Sequence, residues 1–407
     1  MSASTLVWRN TKLNPGLLAW LAFLGLCLTI GLVTAIQVLT KGLTITNMSD
    51  VVPWGLWITI DLSSIALGAG AFTLSAVVYL FGLKQYHSIT RLAVFVGFIG
   101  YTSALLTLVM DIGRPDRFWH PWVYWNVHSV LWEITWCITI YLTIMILEFL
   151  PVVVESKFFD RWPWIRKLAA YLHKFAPVLA LLGVLVSLLH QSSLGATYGI
   201  VKSRPIWFKP SMPIMFILSA VAVGPALTMA IAFIVQWITR RETVPFIVLR
   251  SIARFSGFTL LVYAYIKFWD LASVTYYGRT PAVSEAFYLL NQQTPYNFGF
   301  WFGEIFIGIL LPIIFFLLPR YNQKSTNLVW GALFAVFGVI VNRWNTTVTG
   351  LFVPLSYSPG TLYRLPPGNY IPNLVEWGVV IGVLGYALMI LTLGVLFLPL
   401  FAQEQHP

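Results

Sequence analysis

The sequence predicts an all-α integral membrane protein of about ten transmembrane helices, arranged as two four-helix bundles with a flanking helix at each end. Three observations carry this reading. Hydrophobic residues make up 58% of the 407-residue chain and charged residues only 10%, against ~25% charged in soluble domains. The apolar residues fall in runs long enough to cross ~30 Å of hydrocarbon. The basic residues gather in the short loops between those runs, mostly on one side. This excludes an ordinary cytosolic enzyme. It also assigns the net charge of +11 to membrane insertion and not to nucleic acid.

The apolar stretches place the spans at 16–39, 54–82, 90–111, 123–152, 172–200, 212–239, 248–276, 298–319, 326–351 and 374–401. Residues 1–15 carry Arg9 and Lys12, and no small-x-small site closes span 1, which reads as an uncleaved anchor. Spans 2–5 (54–200) form the first bundle, spans 6–9 (212–351) the second, and 374–401 the C-terminal helix. Ten spans put both termini on one side. Fifteen Lys and Arg lie on that side and eight opposite, so both termini are expected to be cytoplasmic. The opposite loops 277–297 and 352–373 are rich in Pro, Tyr and Trp and are expected to form a docking surface. The segment "VKSRPIWFKPSMP" (201–213) adds three basic residues to that face, which fits an acidic or cluster-bearing partner or contact with lipid headgroups. Cys27 and Cys137 lie far apart inside apolar runs. They support neither a disulfide framework nor ligation of a cluster or covalent haem, and no metal site is expected.

A charged side chain in a bilayer costs a few kcal/mol at least, so each is a functional candidate. Asp61 sits about two turns inside span 2 and Asp111 ends span 3. His128 is placed in the second turn of span 4 with Glu133 below it, and His190 and Gln191 precede the exit of span 5. All six fall in the outer half. Spans 7–9 carry a second set, Lys267, Asp270, Glu304 and Arg343, beside Asn342. These can neutralise one another, Lys267 pairing with Asp270, and hold four helices together.

The segment "DIGRPDRFWHPWVYWNVHSVLWE" (111–133) frames the first set, stiffened by Pro115 and Pro121. An aromatic belt explains Trp119, Trp122 and Trp125 but not two imidazoles and two carboxylates. Apolar walls with a few converging hydrogen-bonding groups suit an aromatic ring bearing two carbonyls, a quinone. Its chemistry moves two electrons and two protons, which gives His128, Asp61, Glu133 and His190 the role of proton exchangers. Arg114 is expected to pair with Asp111 and hold the turn, at the rim of the same site. The small residues of "SIALGAGAF" (64–72) serve close helix packing. His87 and His173 lie at cytoplasmic ends and His406 in the tail. A haem between His128 and His190 would join residues at unequal depths, so this chain is expected to bind no haem.

At "PWGLWITID" (53–61), "DIGRP" (111–115), "NVHSVLWE" (126–133), "LEFLP" (147–151) and "HQSSLG" (190–195) the chain resembles the NrfD/polysulfide-reductase membrane-subunit family. Within it, the chain most resembles the ten-helix branch that serves uptake hydrogenases, and the likeness runs on through "YSPG" and "NYIPNLVEW". The resemblance implies a quinone-reactive subunit in the inner membrane of a bacterium or archaeon, without a redox cofactor of its own. It implies electron exchange with menaquinone or ubiquinone through an extracytoplasmic, ferredoxin-like iron–sulfur subunit, alongside a catalytic or cytochrome c subunit. It places quinone contacts at Trp57, Asp61, Asp111, His128 and His190, with Glu133 as proton carrier; Arg114 and Gln191, beside them in the sequence, are further candidate contacts. Family members vary at the position of His128.

Two other classes stay open. A proton- or ion-coupled transporter would also have two bundles with buried charges, but it should show polar groups reaching both faces. A passive anchor would have no use for so many buried ionisable groups. Whether electron flow moves protons is also open; the carboxylates Asp61, Glu133 and Glu148 would form the path.

Overall fold

The computed structural model describes residues 15–155, 161–276, 281–353, 355–356, 364–365 and 369–401. Arg9, Lys12, Lys157, Arg279, His406 and the "YSPG" segment lie outside them, as do the side chains of His173 and Arg364. Ten helices among the described residues are long and apolar enough to cross a membrane. They are α1 (Pro15–Ile45), α2 (Leu56–Tyr79), α3 (Lys84–Asp111), α4 (Val130–Val154), α5 (Ala176–Gly199), α6 (Met212–Thr239), α7 (Phe246–Ser273), α8 (Tyr296–Leu317), α9 (Ser325–Leu351) and α10 (Leu374–Phe397). The end at which α1 begins is called the inner face below, and the opposite end the outer face.

Most boundaries fall within a few residues of those read from the sequence. The exception is α4, which begins at Val130 and not near 123. Gly113 adopts a left-handed backbone (φ 72°) that turns the chain out of α3. A 3₁₀ turn (Pro115–Arg117) and one helical turn (His120–Val123) then run along the outer surface. Ser129 caps α4, its Oγ accepting from the Trp132 amide at 3.4 Å. Its dense Trp and Tyr content made this surface segment look like the start of a span.

Helices α2–α5 pack together, as do α6–α9. α6 joins the two groups, lying against α2 and α5 on one side and α7 and α9 on the other. Its small residues Ala220, Ala222, Ala226 and Ala230 are buried in the largest apolar core. α1 packs along α10, which in turn rests on α3. Outside the spans, a helix at Pro163–Lys174 links α4 to α5 and another at Pro281–Asn291 precedes α8. A two-residue antiparallel ladder sets Leu355 (β1, Leu355–Ser356) opposite Leu365 (β2, Arg364–Leu365).

In a bilayer the hydrophobic effect does not drive helices together, so close backbone approach through small residues does much of that work. The "SIALGAGAF" run acts in this way. A Cβ added at Gly70 would overlap the backbone of Gly224 in α6, and one at Gly68 would press on Tyr101. Gly31 and Gly382 bring α1 and α10 together by the same means. We expect Gly382→Ile to destabilise the chain by about 1–3 kcal/mol through overpacking, read as a lower unfolding midpoint in detergent. Gly25→Ala, on the partner helix α1 but with nothing near its Cβ, should not lower that midpoint.

Candidate functional site in the outer half of the first bundle

α2 enters from the outer face with its first turn held by another part of the chain. The Leu56 amide donates to the Tyr370 hydroxyl at 2.8 Å, and Trp57 Nε1 donates to the Glu376 carbonyl at 3.1 Å. Glu376 is in the first turn of α10. Its carboxylate accepts from the Asn373 amide (2.9 Å), the Asn47 amide (3.2 Å) and the Tyr370 hydroxyl. Burial and the bond to Glu376 push the Tyr370 phenol above its ordinary pKa, so it remains a donor. Leu56, Trp57, Met110, Val379 and Val380 pack as one cluster where α2, α3 and α10 meet.

Asp61 follows Trp57 by about one turn. It is 4% exposed, and its Oδ1 has no partner among the described residues. Asp61 lies in the field of Asp111, and Asp111 in the field of Glu376. The three carboxyl groups thus lie in sequence at the outer end of the bundle, each within electrostatic range of the next. Glu376 and Tyr370 were missed in the sequence reading. Their signal was "NYIPNLVE", in which Asn373 followed three residues later by Glu reads as a helix cap; the cap is present.

Below Asp61 the α5 residues come in. His190 is fully buried, with Nδ1 3.2 Å from the Tyr101 hydroxyl of α3 and Nε2 without a partner among the described residues. Gln191 donates to the Ile65 carbonyl at 3.2 Å, one turn beyond Asp61, and its Oε1 has no described partner. The Tyr101 ring lies 4.3 Å from that of Tyr141 on α4, which lies 4.4 Å from Phe72 on α2. The Tyr141 hydroxyl is also buried without a described partner. All four helices thus contribute to one buried cluster of aromatic rings and incompletely bonded polar atoms. Buried polar groups are nearly always paired, so such a concentration points to groups arranged for a ligand or for proton transfer.

The structure brings Trp57, Asp61, Asp111, His190 and Gln191 together, and it leaves two expected members outside. His128 precedes the cap of α4 and is exposed on the outer surface, not within its second turn. Arg114 does not pair with Asp111. Turned outward after Gly113, it forms a two-pronged pair with Asp116 (Nε–Oδ1 3.0 Å, Nη2–Oδ2 2.9 Å), which holds the Asp116 carboxyl below its usual pKa. Glu133 is half-buried in the first turn of α4, below the Trp125, Trp132 and Trp136 group. Glu148, about four turns further along α4, accepts from Ser75 at 3.2 Å. It lines an inner-half cavity of ≈ 50 Å³ with Tyr79, Thr90, Arg91 and Glu155.

The second bundle holds its charges differently. Lys267 reaches across to Glu304 on α8 and does not pair with Asp270. Asn342 and Asn345 each donate to Glu304 at 2.8 Å. Arg343 donates to Asn342 (2.9 Å) and Ser219 (2.8 Å) and stacks on Phe216 at 3.7 Å. Glu304 occupies a π-helical stretch, Gly299–Leu310. Asp270 is taken by Lys209 (2.6 Å) and Ser211 (3.0 Å), and Arg204 donates to the Leu351 carbonyl at 3.0 Å. Two of the three basic residues in 201–213 therefore act within the chain and are not free to meet a partner.

Among the described side chains His190 is the one fully buried imidazole. No group of three or more His, Cys, Asp or Glu is arranged for a metal ion among the described residues.

Ten apolar helices, with buried polar side chains gathered toward one face, define a multi-pass integral membrane protein. The family described as "Polysulphide reductase, NrfD" matches residues 44–354, and the chain belongs to that family. It is 32% identical to "Menaquinone reductase, integral membrane subunit" of Nitratidesulfovibrio vulgaris, over 95% of this chain and 92% of that protein. It is 25% identical to "Hdr-like menaquinol oxidoreductase integral membrane subunit" of Archaeoglobus fulgidus, over 94% of each. The hydrogenase branch is represented by "Probable Ni/Fe-hydrogenase 2 b-type cytochrome subunit" of Escherichia coli, 27% identical over 89% of this chain and 88% of that one.

Removing one partner of a buried ion pair costs about 3–5 kcal/mol, because it strands the other charge. We expect Lys267→Met and Glu304→Gln each to lower the detergent unfolding midpoint. The double variant should be less destabilised than the sum of the two.

Proposed function

We propose that this chain is the quinone-reactive membrane subunit of a multisubunit respiratory oxidoreductase. The observation that carries the reading is the set of buried atoms Asp61 Oδ1, His190 Nε2 and Gln191 Oε1, without partners among the described residues, in the outer half of the first bundle. Family membership and relatives named for menaquinone and menaquinol chemistry support it. The quinone enters between the helices of the first bundle and places its ring near Trp57, Asp61, Asp111, His190 and Gln191. His190 Nε2, as N–H, donates to one carbonyl of the quinone, Gln191 Oε1 accepts from a hydroxyl of the quinol, and the aromatic side chains Tyr101 and Tyr141 exclude water. The quinone supplies the redox chemistry, taking or giving two electrons and two protons, and Asp61 exchanges a proton at the ring carbonyl it faces.

In this reading electrons pass between the quinone and an iron–sulfur subunit on the outer face, and a catalytic or cytochrome c subunit completes the complex. The exposed His128 and the Arg114–Asp116 pair lie on that face and belong to the docking surface. Both termini are cytoplasmic, by the excess of Lys and Arg on the inner face. Protons move between this cluster and the inner face along Glu133 and Glu148, with Tyr101 and Tyr141 between Asp61 and Glu148, and exit through the Arg91-lined cavity.

Binding of a menaquinone analogue to the purified chain, followed by quenching of its tryptophans, should saturate. Asp61→Asn and His190→Ala should each weaken it about tenfold, the scale of one hydrogen bond to a charged or buried group. Binding that appears only with the partner subunits restored would mean that the interface completes the site. Absence of binding in both preparations would overturn the reading in favour of a transporter or anchor. In proteoliposomes carrying the complex, Glu148→Gln should slow proton uptake at the inner face while leaving quinone binding intact; unchanged uptake in a Glu133→Gln/Glu148→Gln variant would remove the path.

A further inference from the structure

The twelve-residue helix Pro163–Lys174 between α4 and α5 presents three different faces. Ile165, Ala169 and Leu172, spaced four and three apart, share one side. Ala169 is buried and the other two are half-buried, so this side rests on protein, Leu172 at the wall of the inner cavity. Trp164, Leu168, Tyr171 and, just past the end, Phe175 are spaced four, three and four apart and form a neighbouring stripe. All four are exposed, Trp164 at 65%. The remaining side carries Arg166, Lys167 and Lys174, with Arg161 just before the helix, and all are exposed. From Arg161 to Phe175 there is no acidic residue.

Neither the core nor open water suits this pattern. Three exposed aromatic rings and a leucine in water would be a costly patch, and four cations cannot enter hydrocarbon. A helix in the plane of the membrane boundary satisfies both, with rings in the upper acyl region and cations among the headgroups. α4 and α5 bring the helix to the level at which the bilayer ends. A zwitterionic surface would house the aromatic stripe but give the cations no counter-charge. The exposed Arg161, Lys167 and Lys174, in a stretch without an acidic residue, are complementary to a surface of negative headgroups.

We propose that Pro163–Lys174 is an interfacial helix that binds anionic phospholipid at the inner face of the membrane. The aromatic stripe sets its depth and Arg161, Lys167 and Lys174 select the headgroup charge. Because Leu172 and Ala176 also line the cavity beside Glu148 and Arg91, the bound lipid lies next to the inner opening of the first bundle.

The test uses the full chain in nanodiscs of phosphatidylcholine, with or without admixed phosphatidylglycerol, and reads hydrogen-exchange protection of amides 165–174. Protection should rise about tenfold with phosphatidylglycerol, the scale of a few headgroup contacts, and the rise should shrink as salt is raised. The variant R161Q/K167Q/K174Q should lose that rise while keeping the wild-type protection in phosphatidylcholine and the wild-type unfolding midpoint, which shows that it folds. Equal protection of the wild type in both lipids would overturn the proposal. So would a rise that survives the triple substitution, or protection that appears only when other subunits are added, which would assign the helix to a protein partner.

Discussion

Hydrocarbon offers no hydrogen bonds, so every polar group placed in it must be bonded within the protein or be held ready for something else. The two halves of this chain answer that constraint to different degrees, Arg343 Nε being the one buried atom of the second-bundle charge network that has no described partner. In the second bundle Glu304 has three partners, Lys267, Asn342 and Asn345, and Arg343 is shared between Asn342, Ser219 and the face of Phe216. Asp270 is closed off by Lys209 and Ser211. In the first bundle Asp61, His190, Gln191 and Tyr141 each keep an atom without a described partner. Similar residue types thus make a bonded clamp in one bundle and a buried, incompletely bonded cluster in the other.

α6 lets these two regimes coexist in one compact molecule. Its buried alanines and the backbone contact of Gly224 with Gly70 set the second bundle directly against α2. The Trp54, Tyr198 and Trp207 rings, with centroids 5.0–5.7 Å apart, seal the junction near the outer face.

Much of this was legible in the sequence because insertion physics writes itself into composition. Long apolar runs marked the spans, and an isolated Asp61 or His190 within such a run was conspicuous because nothing but burial could explain its cost. What stayed hidden had local explanations that competed. The Trp-rich segment around His128 has the composition of a span but runs along the surface, because Gly113 turns the chain out and Ser129 starts the helix later. Arg114 had an acid two positions away as well as the one expected. Lys267 and Asp270 sit one turn apart, yet tertiary neighbours on α8 and in the 209–211 segment claimed both. Glu376 was passed over although "NYIPNLVE" carries a helix-cap pattern, and it is part of a cap; that it also anchors α2 depends on contacts more than 300 residues distant in sequence, which no local pattern records.

That anchoring bears on how the protein is made. Glu376 and Tyr370 hold the entry of α2, yet they belong to the last span and to the loop just before it. A chain emerging from the ribosome inserts α2 early and α10 at the end, so the turn that sets the depth of Asp61 lacks its fastening through nearly all of synthesis. The cluster is therefore among the final features to take shape, and a nascent or truncated chain without its closing helix carries the cluster's side chains in the bilayer without their final geometry.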